Sequence, residues 1–124
     1  MKIMIVDDHA AMRRVLKQQL EMSLSDSLEF IECESGEDAI EEYQTFLPDY
    51  ILMDYQLKQM NGFETARIIN QNNPSVPVIL VTSYDLDYLR NKAKSLNIKG
   101  FVSKENLSEI ENYIPNNHLK KKTL

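Results

Sequence analysis

A chain of 124 residues, 43% apolar and 27% charged, suffices for one domain with a buried core and has no room for a second catalytic or DNA-binding domain. Its net charge of −5, from 19 acids against 14 bases, argues against broad, sequence-independent nucleic-acid binding, which relies on Lys and Arg neutralising phosphates, but suits an acidic cleft that takes up a metal ion. The single cysteine, Cys33, excludes an intramolecular disulfide and a Cys-rich zinc site, and no run approaches the roughly 20 apolar residues of a membrane span, so a cytoplasmic protein without membrane insertion is expected.

In chain order, short apolar runs alternate with helix-period segments, the rhythm of βα units feeding a parallel sheet. The first strand is predicted at Lys2 to Asp7. It is followed by a helix striped by Met12, Val15, Leu16 and Leu20. A second strand, Leu28 to Cys33, precedes a helix opened by Ser35 with Asp38 in a capping-box spacing, striped by Ala39, Ile40, Tyr43 and Leu47 and closed by Pro48. The third strand, Tyr50 to Asp54, leads to a helix with Gly62, Ala66 and Ile69 on one face, ended by "NNPSVP". The fourth strand, Val78 to Thr82, leads to a helix striped by Leu86, Leu89, Ala93 and Leu96, with Asn97 suited to a left-handed cap. The fifth strand, Gly100 to Ser103, is followed by a short helix with Leu107, Ile110 and Ile114 on one face, stopped by Pro115. A frayed tail is expected over 115–124, after a domain over 1–114. Five parallel strands with five helices point to an α/β doubly wound three-layer sandwich.

In such a sheet, ligands bind beyond the carboxyl ends of the strands. The first strand delivers Asp7 and Asp8 to that rim, the third Asp54, the fourth Thr82 and Ser83, and the fifth Lys104. Neighbouring carboxylates repel unless a hard cation compensates, and oxygen-only donors favour Mg²⁺, for which Mn²⁺ could substitute. Asp7, Asp8, Asp54 and the backbone carbonyl of Gln56 are therefore the expected metal ligands. A divalent ion beside a carboxylate, a hydroxyl and a lysine is suited to phosphoryl transfer, with Asp54 as nucleophile and Thr82 and Lys104 on the phosphoryl oxygens.

The stretches "VDDH", "ILMDYQLKQMNGFE", "VILVTS" and "GFVSK", in this order, make the chain resemble the receiver domain of two-component response regulators from Met1 to about Ile114. The resemblance implies a flavodoxin-like fold with strand order 2-1-3-4-5. It also implies phosphotransfer to Asp54 from a sensor histidine kinase or phosphotransfer protein, and hydrolysis that resets the switch. Position by position it makes Asp7 and Asp8 the magnesium-binding pair, Thr82 the switch hydroxyl, Lys104 the phosphate-pairing lysine and Phe101 the switch aromatic. Gln56 and Tyr84 fall where receivers tune phosphoryl lifetime. It further implies a downstream protein or output domain engaged through the face of the fourth helix, fifth strand and fifth helix, where many receivers also form homodimers. The "DDH" opening is similar to receivers that often carry a C-terminal helix-turn-helix domain. Lys58 and Glu105 stand where the family usually has prolines.

Blander readings accompany these residues. Thr82 alone is as consistent with an ordinary β-branched strand residue as with a switch. Phe101 on a short strand is expected to pack whether or not it rotates. His9 is a candidate metal ligand or phosphohistidine, but with His118 the only other histidine no cluster forms and it reads as a helix-start residue, while Cys33 reads as a small buried strand residue. Lys120, Lys121 and Lys122 read as a solvated tail. Three functions compete. The first is a phosphorylation switch acting through a partner as a stand-alone receiver, or alternatively as the receiver of a DNA-binding transcriptional regulator. The second, a magnesium-dependent aspartyl-phosphate phosphohydrolase, fits poorly because the acids are adjacent and no insertion builds a substrate cap. The third, a flavodoxin-type cofactor binder, conflicts with carboxylates where a phosphate loop should lie.

Overall fold

The computed structural model describes residues 1–24, 27–84 and 87–114. Elements alternate along the chain: β1 (Lys2–Val6), α1 (Ala10–Ser23), β2 (Glu29–Cys33), α2 (Gly36–Phe46), β3 (Tyr50–Met53), α3 (Gly62–Asn72), β4 (Val78–Thr82), α4 (Asp87–Ser95), β5 (Gly100–Ser103) and a 3₁₀ helix (Leu107–Tyr113). All pairings are parallel, in the order β2-β1-β3-β4-β5. The fifth helix is 3₁₀, not α, consistent with apolar residues Leu107, Ile110 and Tyr113 spaced by three along one edge.

The three inner strands are buried along both faces, which is why they read as unbroken apolar runs. Alternation then sorts their side chains. Met4, Val6, Ile51, Met53, Val78 and Leu80 join Ala39, Tyr43, Phe63, Ala66, Ile69, Leu89 and Ala93 in a core under α2, α3 and α4. Ile3, Ile5, Leu52, Ile79, Val81 and Val102 join Leu16, Leu20, Ile110 and Ile114 in a second core under α1 and the 3₁₀ helix. Two apolar layers clamp the sheet, so its strand ends are fixed relative to one another.

Two expected core residues face solvent. Val15 is 43% exposed because α1 packs through the narrower Leu16 and Leu20 ridge, one turn apart, and Val15 lies on its flank. Leu47 is 61% exposed: the residue before a proline is pushed out of right-handed helix, and Leu47 adopts φ 53° as the left-handed cap of α2. Asn97, with φ 63°, makes the expected turn after α4, where the Ile98 amide reaches back to the Ala93 carbonyl at 3.0 Å. Ser35 accepts from the Asp38 amide as expected, whereas the full reciprocal capping box lies at Asn61 and Glu64, at the start of α3. No cis peptide occurs among the described residues, Lys104 to Glu105 included. No described helix is long and apolar enough to cross a membrane. Leu86, Pro115, His118, the Lys120 to Lys122 run and the whole proposed tail 115–124 lie outside the described residues.

Candidate functional site

Register brings the carboxyl ends into line: Val6 pairs with Cys33 and Met53, Met53 with Leu80, and Thr82 with Ser103. β1 and β3 end at Val6 and Met53, one residue short of the ends expected at Asp7 and Asp54, yet the amides of these acids still bond across the ladder, Asp7 to the Cys33 carbonyl at 3.0 Å and Asp54 to the Val6 carbonyl at 2.9 Å. The ends of β1, β3, β4 and β5 then turn in the same manner. The side-chain oxygen of the terminal residue accepts from the backbone amide two residues on: Asp7 from His9 at 2.8 Å, Asp54 from Gln56 at 3.3 Å, Thr82 from Tyr84 at 3.2 Å and Ser103 from Glu105 at 3.1 Å. Short polar residues thus end the strands and hold their own side chains at the rim.

Lys104 joins the set across the sheet. Its Nζ lies 3.0 Å from Asp7 Oδ2 and 3.1 Å from Asp54 Oδ2, while its amide bonds the Thr82 carbonyl at 2.9 Å. Asp7, Asp54 and Thr82 are buried. Burial pushes the Asp54 carboxyl above the ordinary range, Lys104 pulls it down and Asp7 pushes it up, with the balance raised. Burial alone would lower Lys104, but its hydrogen bond to Asp7 and the charge of Asp54 outweigh that and leave it raised. With every group ionised, three carboxylates against one ammonium leave two negative charges uncompensated.

Asp8 Oδ1 is buried and has no hydrogen-bond partner, a costly state for a carboxylate oxygen that a bound cation would relieve. That orphaned oxygen, beside the Asp7 carboxylate, fits a hard divalent ion. The donor atoms of Asp7, Asp8 and His9 lie within 4.8 Å of one another; Asp54 falls outside this group and is tied to it through Lys104. The expected set is therefore gathered unevenly, with Asp7 and Asp8 together and Asp54 one lysine away. Gln56 and Tyr84 lie exposed, the Gln56 amide against Asp54 and the Tyr84 amide against the Thr82 hydroxyl. Phe101 is only 6% exposed, with the Arg90 guanidinium 4.6 Å from its ring centroid, so the aromatic is already inward.

Arg13 and Gly62 escape the sequence reading as contributors to the site, and His9 is set aside there as a metal ligand. His9 is the helix-start residue expected of it, with no side-chain cap bond, but its Nδ1 stands 3.1 Å from Asp8 Oδ1 and 3.3 Å from Asp7 Oδ1. Arg13 donates to the Asp7 carbonyl at 2.6 Å and to Glu32 at 2.8 Å, pinning the turn that carries the acids. Gly62 is required by space: a Cβ there would stand 2.3 Å from the Asp54 carbonyl oxygen. Only the Gly62 position, following "DYQLKQMN", carried a signal, that of a helix starting close behind a strand end.

A five-stranded parallel sheet in this order, with acids and a lysine at its carboxyl rim, defines the receiver class of flavodoxin-like fold. The family model of the response regulator receiver domain matches residues 3–114, and the chain belongs to that family of two-component signalling domains. It is 35% identical over 109 residues to the transcriptional regulatory protein YdfI of Bacillus subtilis, covering 87% of this chain and 50% of that one. It is 32% identical over 115 residues to ComA, a transcriptional regulatory protein of the same organism, covering 91% and 54%. The chain thus spans about half the length of these curated relatives. Among solved structures, a LuxR-family two-component response regulator from Aurantimonas sp. SI85-9A1 superposes with a TM-score of 0.82 at 25% identity, covering 90% of this chain and 79% of that one. The Vibrio cholerae chemotaxis protein CheY4 shares the fold, with a TM-score of 0.79 at 19% identity, covering 91% and 98%.

Proposed function

We propose that the domain over residues 1–114 is a phosphorylation-dependent switch in which Asp54 accepts a phosphoryl group from a sensor histidine kinase or phosphotransfer protein. The observation that carries this reading is the Lys104 ammonium, 3.0 Å from Asp7 and 3.1 Å from Asp54, at the one rim where four strand ends converge. In the transfer, an Asp54 carboxylate oxygen forms a bond to phosphorus as the phosphorus–nitrogen bond of a phosphohistidine breaks, and the leaving imidazole takes up a proton. Lys104 moves from the bare carboxylate to a phosphoryl oxygen, and the Thr82 hydroxyl exchanges the Tyr84 amide for another. Asp7 and Asp8, with the Gln56 carbonyl, would hold Mg²⁺, or Mn²⁺ in its place. Bound there, the ion supplies charge neutralisation and orientation for the phosphoryl oxygens. Attack of water on the same phosphorus breaks its bond to the Asp54 oxygen and releases inorganic phosphate, which restores the carboxylate, and Gln56 and Tyr84 beside the site govern the water's access.

Because Phe101 is already buried, the readout is a displacement of Thr82 that repacks Phe101 and Arg90 and moves the surface of α4, β5 and the 3₁₀ helix, where a partner or a second copy would dock. Titration with beryllofluoride and Mg²⁺, followed by NMR, is expected to shift residues after β3 and β4 together with that surface. Shifts that are absent, or confined to residues 115–124, would contradict the switch.

A second reading, that this is the receiver of a DNA-binding transcriptional regulator, is supported by the names of YdfI and ComA and by their length. The stand-alone reading expects the protein isolated from its own cells to have the mass of 124 residues; the second expects about twice that.

A further inference from the structure

His9 takes no part in the phosphoryl chemistry above, yet its ring is set against both acids. Nδ1 lies 3.1 Å from Asp8 Oδ1 and 3.3 Å from Asp7 Oδ1. The shorter approach lacks hydrogen-bond geometry and is an ion pair only when the ring carries a second proton, so with the neutral ring a divalent ion fits between the two atoms. Two atoms that bind one ion at about 2.1 Å stand about 3.0 Å apart in an octahedron and about 3.4 Å apart in a tetrahedron. Both separations at His9 fall within that interval. The ring is 73% exposed, so an ion reaches it from solvent, and the helix start uses only the backbone of His9. Imidazole nitrogen favours borderline ions such as zinc, cobalt and nickel, whereas Mg²⁺ prefers carboxylate and water oxygens.

We propose that His9, through Nδ1, is a third protein donor to the divalent-ion site of Asp7 and Asp8, and that this site binds a borderline transition-metal ion, with zinc as the probe, more tightly than Mg²⁺. The inference rests on the reading of Asp7 and Asp8 as the metal-binding pair. Carboxylates alone already rank zinc above magnesium, so the discriminating quantity is how far the preference depends on His9.

With only two histidines in the chain, a ¹⁵N-histidine sample of the full 124 residues reports His9 against His118 as internal reference. Zn²⁺ alone is expected to shift the His9 Nδ1 resonance and leave His118 in place. By calorimetry His9→Asn, which keeps a residue favoured at helix starts, should weaken Zn²⁺ binding about tenfold or more and change Mg²⁺ binding less than about twofold. A shift at His118 alone, or equal Zn²⁺ affinity in wild type and His9→Asn, would overturn the inference; if Mg²⁺ binding is then still lost in Asp8→Asn, the reading of the acid pair stands. No Mg²⁺ binding to wild type, or none lost in Asp8→Asn, would overturn both.

Discussion

Asp54 and Cys33 show how burial sets the behaviour of single residues. Asp54, 4% exposed, is held above the ordinary carboxylate range, so its ionised form is less favourable in the folded chain than in the unfolded one. Stability from this group is full below the ordinary value of 3.8 and drains as pH rises through the raised one. Asp54→Asn removes that cost, and Lys104 keeps Asp7 as partner. In EDTA at neutral pH the variant should melt a few degrees above wild type and show a flatter loss of stability with rising pH; a lower Tm would show that the Lys104 attraction outweighs burial. Cys33 is pushed up to about 12, first by burial and then by the charges of Asp38 and Glu42. Its thiol should resist a disulfide reagent at pH 8 in the native state and react at once in urea. Relative to Cys33→Ala, wild-type stability should fall as pH climbs from about 9 towards about 12. Asp7, Asp8, Asp54 and Lys104 were legible in the sequence because their spacing along the chain is set by the strand ends. Arg13 was not, because its contacts depend on side-chain directions across the β1–α1 turn, and His9 was a candidate the sequence set aside, because one histidine beside two acids carries no spacing signature.

Among the elements, the start of α3 is where structure and site meet. The Asn61 and Glu64 capping box fixes the helix, and Gly62 lets it pass against the carbonyl of Asp54. Asn61→Ala should cost about 1 kcal/mol in urea unfolding with the phosphoryl site intact. Gly62→Ala should cost more, about 1–3 kcal/mol, and also slow phosphorylation, because its Cβ would force the Asp54 backbone to move. Equal effects of the two on phosphorylation would show that Gly62 acts on the helix alone. The strands were readable as apolar runs ending in short polar residues, and the helices as stripes. Val15 and Leu47 misled because a stripe marks a face but not its width, and because Pro48 turns the last residue of the second stripe outward. The 3₁₀ geometry of the last helix was hidden because Leu107, Ile110 and Ile114 satisfy spacings of three and four equally.

For the whole molecule, two apolar cores hold the sheet rigid while its rim carries more negative charge than Lys104 can balance. On the proposed reading, a divalent ion held by Asp7 and Asp8 would link stability to function. Mg²⁺ at about 100 times its Kd should stabilise wild type by about 2.7 kcal/mol, and should do little for Asp8→Asn; equal stabilisation of both would place the ion elsewhere. The central claim, that the rim exists so that Asp54 can be reversibly phosphorylated, is tested most directly by the intact mass of the protein after treatment with acetyl phosphate and Mg²⁺. Wild type is expected to gain one phosphoryl group and Asp54→Asn none, whereas an unmodified wild type, or an equal gain in the variant, would contradict the account.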